Sequence, residues 1–469
     1  MTGIDAERYD RQLRLWGTDG QLKLSGATVL CFGSSAAACE VLKNLILPGL
    51  GSVIVVDDAL TRERDLGSNF FLDSSHLGLN RAKAVVQYLS ELNPTVRCVG
   101  YSSVSEIPPD VNAHVVVLVN GWIKNYMAKD TVDKSYYTIA VESVGFLGRV
   151  CIYATKPHVV LEPKSEEGRL GDLFIAHPWL ALRDYIDSFD FSPNAVEIEL
   201  FHIPWLVILA KACMTTSARD RKSLLSAIVS LENGRLGGLN FDEARHSVFR
   251  LTALAWDDEI LSDIARIISE YGNDPTRTVD DLVGVLKAVE IFHKRRGSLP
   301  LSGPTIPDMV STTDSYTELV DLFRTKFDAD VTEIVALCAA ERPIVEKVVT
   351  NLRNLTVMEF ERMYEGLNDS AHSPDAKRHN GDDVAMEESC FDDPEQEEIV
   401  RLLDGLPVDE ASLMKQEFDR YSGGVELHAV SAVVGSVAAQ EIVKLVTNQF
   451  VPIQKSFVFN GINGSGFTY

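Results

Sequence analysis

The chain of 469 residues carries 44 Lys and Arg against 68 Asp and Glu, a formal net charge of −24 that repels phosphate backbones and anionic surfaces, so neither nucleic acid nor a membrane is an expected partner. Its length suits about three domains and a core large enough to need no staples. Seven scattered cysteines with no C-x-x-C pair argue against a disulfide framework and a four-thiolate zinc site, which makes the cytoplasm and nucleus the expected compartments.

The N-terminal stretch is charged rather than apolar and no run approaches eighteen apolar residues, which predicts a soluble, unsecreted protein. Within it YDRQLRLWG, Tyr9 to Gly17, opens a helix on which Leu13 and Trp16 lie three apart as apolar anchors. Arg11 and Arg14 on that helix leave two readings open, plain surface charges or cations offered to a partner. Thr28–Phe32 reads as a strand, Cys39–Leu47 as a helix, Ser52–Asp57 as a strand, Asn80–Leu92 as a helix and Val115–Val119 as a strand, with antiparallel strands expected near Val150–Ala154. Strands separated by helices imply parallel pairing through right-handed crossovers. The fold class is therefore α/β, a doubly wound, mostly parallel, Rossmann-like sheet.

The turn after the first strand is the most informative feature. A nucleotide fold uses G-x-G-x-x-G there, because glycine lets the backbone approach a phosphate held at the helix N-terminus. Here Gly33 survives, Ser35 and Ala38 take the next two glycine places and Ala36 adds another Cβ, so three side chains are expected to fill the pyrophosphate space.

From about Glu167 the pattern turns helical, with Val279, Leu282, Leu286 and Val289 on one face, and continues through Asp314–Phe327 and Ala329–Arg342. Residues 366–398 are polar and acidic and read as a flexible, solvated loop. Past Tyr421 a helix rich in small residues (Ala432, Gly435, Ala438, Ala439) is expected to sit close against a sheet, followed by the strand SFVFNGI. The simplest organisation is an α/β domain over 1–166, an inserted helical domain over 167–398, and a return to the α/β domain over 399–469. Cys213 and Cys338 lie in apolar stretches and read as core; His158, His202 and His428 read as structural, and no metal site is expected. GPTIPDM is held extended by two prolines, a docking strand or a plain surface loop.

YDRQLRLWG together with LKNLILPGLG, Leu42 to Gly51, resembles the adenylation half of ubiquitin-like-modifier activating enzymes, with their ThiF/MoeB-like fold. HIPWLVILAK from His202, LPLSGPTIPDM from Leu299 to Met309, and the terminal GGVELHAVSAVVGSVAAQEIVKLVT are similar to the non-catalytic subunits of the heterodimers that activate the cullin-modifying ubiquitin-like protein. The resemblance implies a pseudo-adenylation domain. Asp57 keeps the ribose acid, while Ala59, Asn69 and Asn120 stand where an acid, a phosphate-binding arginine and the magnesium aspartate belong; Lys83 keeps a lysine. ATP, magnesium and the nucleophilic cysteine would then reside in a catalytic partner subunit, none of the seven cysteines here being in the right context. The implied partners are that subunit, the ubiquitin-like modifier and, through the complex, a conjugating enzyme. Arg11 is the implied trans contact to the partner's ATP, and Arg14, Trp16, Thr305, Ile306, Pro307, Asp308 and Met309 the implied partner interface. Competing readings are the equivalent SUMO-activating subunit, a stand-alone adenylyltransferase or dehydrogenase, and a scaffold without catalytic contribution.

Overall fold

The apolar, β-branched runs become strands because such side chains fit a pleated surface buried on both faces. In the computed structural model β1 (Thr28–Phe32), β2 (Ser52–Val56), β3 (Arg97–Tyr101), β4 (Val115–Val119) and β5 (Tyr137–Val144) pair in parallel in the order β3-β2-β1-β4-β5. Antiparallel strands β6 (Leu147–Ala154), β7 (Ser456–Asn460) and β8 (Ser465–Thr468) extend that sheet to eight strands. The described residues are 4–120, 137–162, 175, 177–195, 200–216, 220–232, 234, 238–252, 257–272, 279–352, 354–360 and 425–468. The acidic stretch 366–398 and the limits drawn at 166/167 and 398/399 lie outside them. The chain divides into two compact units, one of Met1–Val160 with Met358–Tyr469, the other of Leu161–Val357.

In the first unit, helices α1 (Asp10–Gly26), α2 (Ala36–Ile46), α3 (Arg81–Leu92) and α12 (His428–Thr447) flank the sheet. The second helix begins at Ala36, three residues before the expected Cys39, because the alanines that blur its apolar periodicity are themselves good helix formers. Its N-cap is Ser35, whereas α3 is capped by Asn80, whose side chain accepts from Lys83 N. As expected, α12 sits close against the sheet, Ser431 Oγ lying 3.0 Å from Ser143 Oγ of β5 and Ala438 and Ala439 buried; Gly435 adds a close approach to α2, where a Cβ would meet Glu40 Cβ at 2.7 Å and Val41 N at 3.0 Å. Ala432 is only half-buried. Long and apolar enough to cross a membrane by composition, α12 instead packs Val430, Val434, Ile442 and Leu445 into this core.

In the second unit, α4 (Leu180–Asp187), α5 (Trp205–Thr215), α6 (Arg221–Glu232), α7 (Leu239–Thr252), α8 (Asp257–Tyr271), α9 (Asp280–Arg296), α10 (Thr313–Val335) and α11 (Arg342–Thr350) surround Phe241, Phe292 and Phe323, all fully buried. Leu282, Leu286 and Val289 face inward on α9, but Val279 is its half-buried N-cap. The two stretches expected to continue the helical block share α10, which ends at Val335, so Cys338 lies beyond it in a turn.

One buried group makes the first unit sensitive to acid. His158 is 0% exposed, its Nδ1 is 2.7 Å from Tyr137 Oη, and among the described residues its Nε2 has no partner. Burial, with a smaller push from Lys23, lowers its pKa from 6.5 to about 4. The unfolded chain therefore takes this proton first, and the stability that neutral His158 contributes is full above about 6.5 and is lost as pH falls toward 4. Unfolding free energy is expected to drop by up to about 1.4 kcal/mol per pH unit in that window. Urea unfolding across it should show a steeper slope for wild type than for His158→Gln; equal slopes would assign the acid sensitivity elsewhere.

Candidate functional site

In an open parallel sheet the ligand crevice lies beyond the carboxyl ends of the strands, where the strand order reverses. Here that point falls between β1 and β4, so the residues following Phe32 and Val119 line it. Gly33 turns out of β1 with φ +104° and donates its N–H to Val56 O at 2.9 Å. Ser34 then donates its N–H and its Oγ to Asp57 Oδ2, at 2.9 and 2.5 Å. The Ser35 hydroxyl makes no local capping bond to α2.

What faces the N-terminus of α2 is a carboxylate from near the other end of the chain. Glu426 accepts from Ala36 N through Oε2 and from Ser35 Oγ through Oε1, each at 2.7 Å. Asn120, in the left-handed region at φ +51°, donates Nδ2 to the same Oε1 at 2.7 Å and accepts from Ser143 N at 2.9 Å. The first N–H groups of a helix lack intrahelical partners and carry the positive end of its dipole, which is why nucleotide folds place phosphate there. In this chain the anion is built in. Burial pushes the Glu426 carboxyl above its ordinary range, and the donors from Ser35, Asn120, Ala36 and Ala37 pull it back.

A buried ion pair lines the crevice beside Glu426. Arg81 opens α3 and places Nη2 at 2.8 Å from Asp57 Oδ2 and Nη1 at 3.2 Å from Asp65 Oδ1, with Nε at 3.0 Å from Ser34 Oγ. Burial opposes the guanidinium charge, but Asp57, Asp65 and Glu426 outweigh it and raise the Arg81 pKa. Since Asp57 Oδ1 accepts from Ala59 N at 3.0 Å, both oxygens of Asp57 are engaged and the acid of the ribose position serves the fold. The cavity that remains, lined by Ser35, Arg64, Asn69, Arg81, Asn120 and Glu426 among others, has a volume of about 170 Å³. Small-molecule sites run from roughly 300 to 1,000 Å³. Among the described residues no group of three or more His, Cys, Asp or Glu is placed to hold a metal. With a carboxylate on the phosphate position and a neutral amide at Asn120, these residues do not fit ATP with magnesium.

The structure relocates several residues singled out in the sequence. Ser35 and Ala36 line the cavity, but Ala38 is fully buried in the core with Ala37, so two rather than three side chains stand in the phosphate space. The last glycine place governs helix-to-sheet packing, which an alanine satisfies. Asn69 is buried and donates Nδ2 to Ser34 O at 3.2 Å. Lys83 points out of the crevice to Glu106, 3.4 Å away. His428 is half-buried with Nδ1 3.2 Å from Ser68 O, whereas His202 is exposed rather than a core histidine. Burial pushes the thiol of Cys39 up to about 12 and those of Cys98 and Cys151 to about 11, unsuited to a nucleophile. Cys213 and Cys338 are half-buried rather than core, and Cys390 lies outside the described residues.

Arg11 is exposed in the first turn of α1 and, among the described residues, makes no hydrogen bond or ion pair. Its neighbours do: Arg14 pairs with Asp10 at 3.0 Å and Arg8 donates to Leu92 O at 3.2 Å. Trp16 is half-buried and packs against its own unit's core, donating Nε1 to Gln21 Oε1 at 2.9 Å. In the second unit, Thr305–Met309 lies in an irregular segment, not a strand. That segment is tied at one end by Leu301 N to Asp330 Oδ2 at 3.0 Å and at the other by the Thr312 cap of α10. Thr305 and Asp308 are exposed, and Ile306, Pro307 and Met309 half-buried. Glu426 and Arg81 were not singled out from sequence; Arg81 sits two residues before the lysine that was.

Glu426→Ala leaves Ala36 N and Asn120 Nδ2 without their acceptor, and each buried group left unmade costs about 1–3 kcal/mol. Glu426→Gln, which turns an amide N–H toward one donor, is expected to lose roughly 1–3 kcal/mol of unfolding free energy, and Glu426→Ala more. Urea denaturation reads both; an unchanged midpoint for Glu426→Ala would show that the carboxylate is dispensable.

The sequence model of the ThiF family matches residues 9–468. The chain is 27% identical to the NEDD8-activating enzyme E1 regulatory subunit AXL of Arabidopsis thaliana, over 97% of this chain and 97% of that protein. It is 28% identical to the Nedd8-activating enzyme E1 regulatory subunit of Drosophila melanogaster, over 99% and 97%, and 28% identical to that of Caenorhabditis elegans, over 98% and 98%. The doubly wound sheet, the glycine-poor turn at its switch point and this match from end to end agree: the chain belongs to the ThiF family.

Proposed function

We propose that this chain is the regulatory subunit of a heterodimeric NEDD8-activating enzyme, pairing with a catalytic subunit that holds ATP, magnesium and the nucleophilic cysteine. The observation that carries this reading is the contrast within one unit between a crevice occupied by Glu426 and an exposed Arg11 that is unpaired among the described residues. The relatives named above support it over nearly the whole chain. Those relatives do not favour a SUMO-activating subunit, and a stand-alone adenylyltransferase or dehydrogenase would need the phosphate and metal positions that Glu426 and Asn120 fill.

In the reaction the modifier's C-terminal carboxylate attacks the α-phosphorus of ATP, the bond to the β-phosphate breaks and pyrophosphate leaves; a thiolate of the partner subunit then displaces AMP to give the thioester. Negative charge grows on the leaving pyrophosphate. A guanidinium is planar, permanently charged and donates through a fixed fork, so Arg11 supplied in trans stabilises that charge without a protonation step. The remaining contribution of this chain is surface: the first turns of α1, with Arg14 and Trp16, and the segment Thr305–Met309 as contacts for the catalytic subunit, the complex receiving modifier and conjugating enzyme. The six described cysteines are all free thiols, which supports a reducing compartment, cytoplasm and nucleus.

Arginines supplied in trans to phosphoryl transfer are worth about 10³ to 10⁵ in rate. Because the partner's own cations share the charge, Arg11→Ala is expected to lower ATP–pyrophosphate exchange by the reconstituted heterodimer about 10-fold to 100-fold, with the dimer intact by sizing. Arg11→Lys should recover only part, since an ammonium lacks the bidentate fork. Unchanged exchange with an intact dimer would reduce the subunit to a scaffold, and a broken dimer would place Arg11 in the interface.

A further inference from the structure

We infer that Tyr9 is the positioning residue for Arg11, a pin seated in a socket made by Gly49, Asn93 and Thr95 that fixes where the first turn of α1 presents its guanidinium; this rests on the trans role of Arg11 given above. Tyr9 immediately precedes α1, where an aromatic side chain has no capping function, and indeed it makes no side-chain cap. Its ring is instead driven into the unit, leaving Tyr9 6% exposed. The hydroxyl accepts from Asn93 Nδ2 at 2.9 Å and lies 3.2 Å from Thr95 Oγ1.

Each wall of the socket is itself held. Asn93 is 0% exposed, and its Nδ2 also donates to Ile46 O at 2.9 Å, at the end of α2, while Thr95 Oγ1 donates to Asn93 Oδ1 at 2.8 Å. Gly49 adopts φ +88°, and a Cβ there would stand 2.6 Å from the Tyr9 hydroxyl and 2.7 Å from Cζ. The ring therefore fits over a glycine and over nothing larger. This joins two motifs far apart in the chain: the Gly49 of LILPGLG makes room for the tyrosine of YDRQ.

The other end of this helical piece is held separately, by Trp16, whose Nε1 donates to Gln21 Oε1 at 2.9 Å and whose carbonyl accepts from Gln449 Nε2 at 2.9 Å. Gly17, at φ +68° and ψ −179°, breaks α1 between its first turns and Thr18–Gly26, so the first seven residues of the element do not inherit the orientation of the rest. Backbone bonds carry the pin's position forward: Tyr9 N donates to Asp5 O at 3.1 Å and Leu13 N to Tyr9 O at 2.8 Å, bracketing Arg11. Arg8 adds a second tie through Leu92 O at 3.2 Å, its guanidinium 6.0 Å from the Tyr9 ring centroid. Charge stabilisation in trans depends on placement, since a misplacement of about 1 Å costs on the order of 100-fold in rate. Removing the Tyr9 hydroxyl frees the ring to shift while leaving its apolar contacts.

A double-mutant cycle on the reconstituted heterodimer separates positioning from general stability. Tyr9→Phe and, independently, Thr95→Val are expected to lower kcat for ATP–pyrophosphate exchange by roughly 3-fold to 10-fold when Arg11 is present, and by less than about 2-fold in the Arg11→Ala background. The melting temperature should fall equally in both backgrounds, because the lost hydrogen bond does not involve Arg11. An equal fold-loss in both backgrounds would make the socket a general structural element and overturn the inference, as would no loss from either variant. If Arg11→Ala alone leaves exchange unchanged, the trans role of Arg11 fails, and the positioning role of Tyr9 fails with it for that separate reason.

Discussion

The fold of the first unit turns on one electrostatic contact, the carboxylate of Glu426 on the N-terminus of α2. A nucleotide-binding βαβ unit presents unpaired N–H groups and a positive helix end at its switch point, and that end favours an anion. Here the anion is covalently part of the chain. Tying residues 35 and 426 together closes a loop of 391 residues, but closure entropy grows only with the logarithm of loop length. A few charge-assisted hydrogen bonds in a buried setting can offset it. The contact fixes the return of the chain into the sheet unit two residues before α12 begins, and from there Gly435 can bring α12 against α2.

The same contact disposes of the chemistry. At the α2 N-terminus the Ala36 N–H and the Ser35 hydroxyl meet Glu426, and the acid at Asp57 meets Arg81 and Ser34. The pair Asp57–Arg81 is buried, and breaking such a pair by removing one partner costs about 3–5 kcal/mol, so the occupied crevice is also a structural member. What the unit offers outward is the opposite kind of group. Arg11 is a charge with no partner among the described residues, carried on a short helical piece pinned by Tyr9.

Local features of this site were legible in the sequence and long-range ones were not. The loss of glycines at Ser35 and Ala38, the neutral Asn120 and the parallel strand pattern are visible within a few residues of each motif. The helix start at Ala36 was placed late because three alanines show no apolar stripe. Glu426 could not be read, since an acid ahead of a helix has many roles and its partners are more than 300 residues away. Arg81 was passed over for Lys83 because both are cations in one short motif, and only the helical phase of α3 decides which of them turns inward. The two prolines of GPTIPDM suggested an extended docking strand or a plain surface loop; the segment is irregular, and the ties at Leu301 and Thr312 that hold it come from α10.

The central claim is that this chain contributes a guanidinium and a surface to adenylation but no nucleotide site. Its most direct test is the stoichiometry of ATP binding, by titration calorimetry with magnesium, to the purified heterodimer and to this chain alone. The account predicts one ATP per heterodimer and no saturable heat for the isolated chain. Two ATP per heterodimer, or saturable binding to the isolated chain, would contradict it.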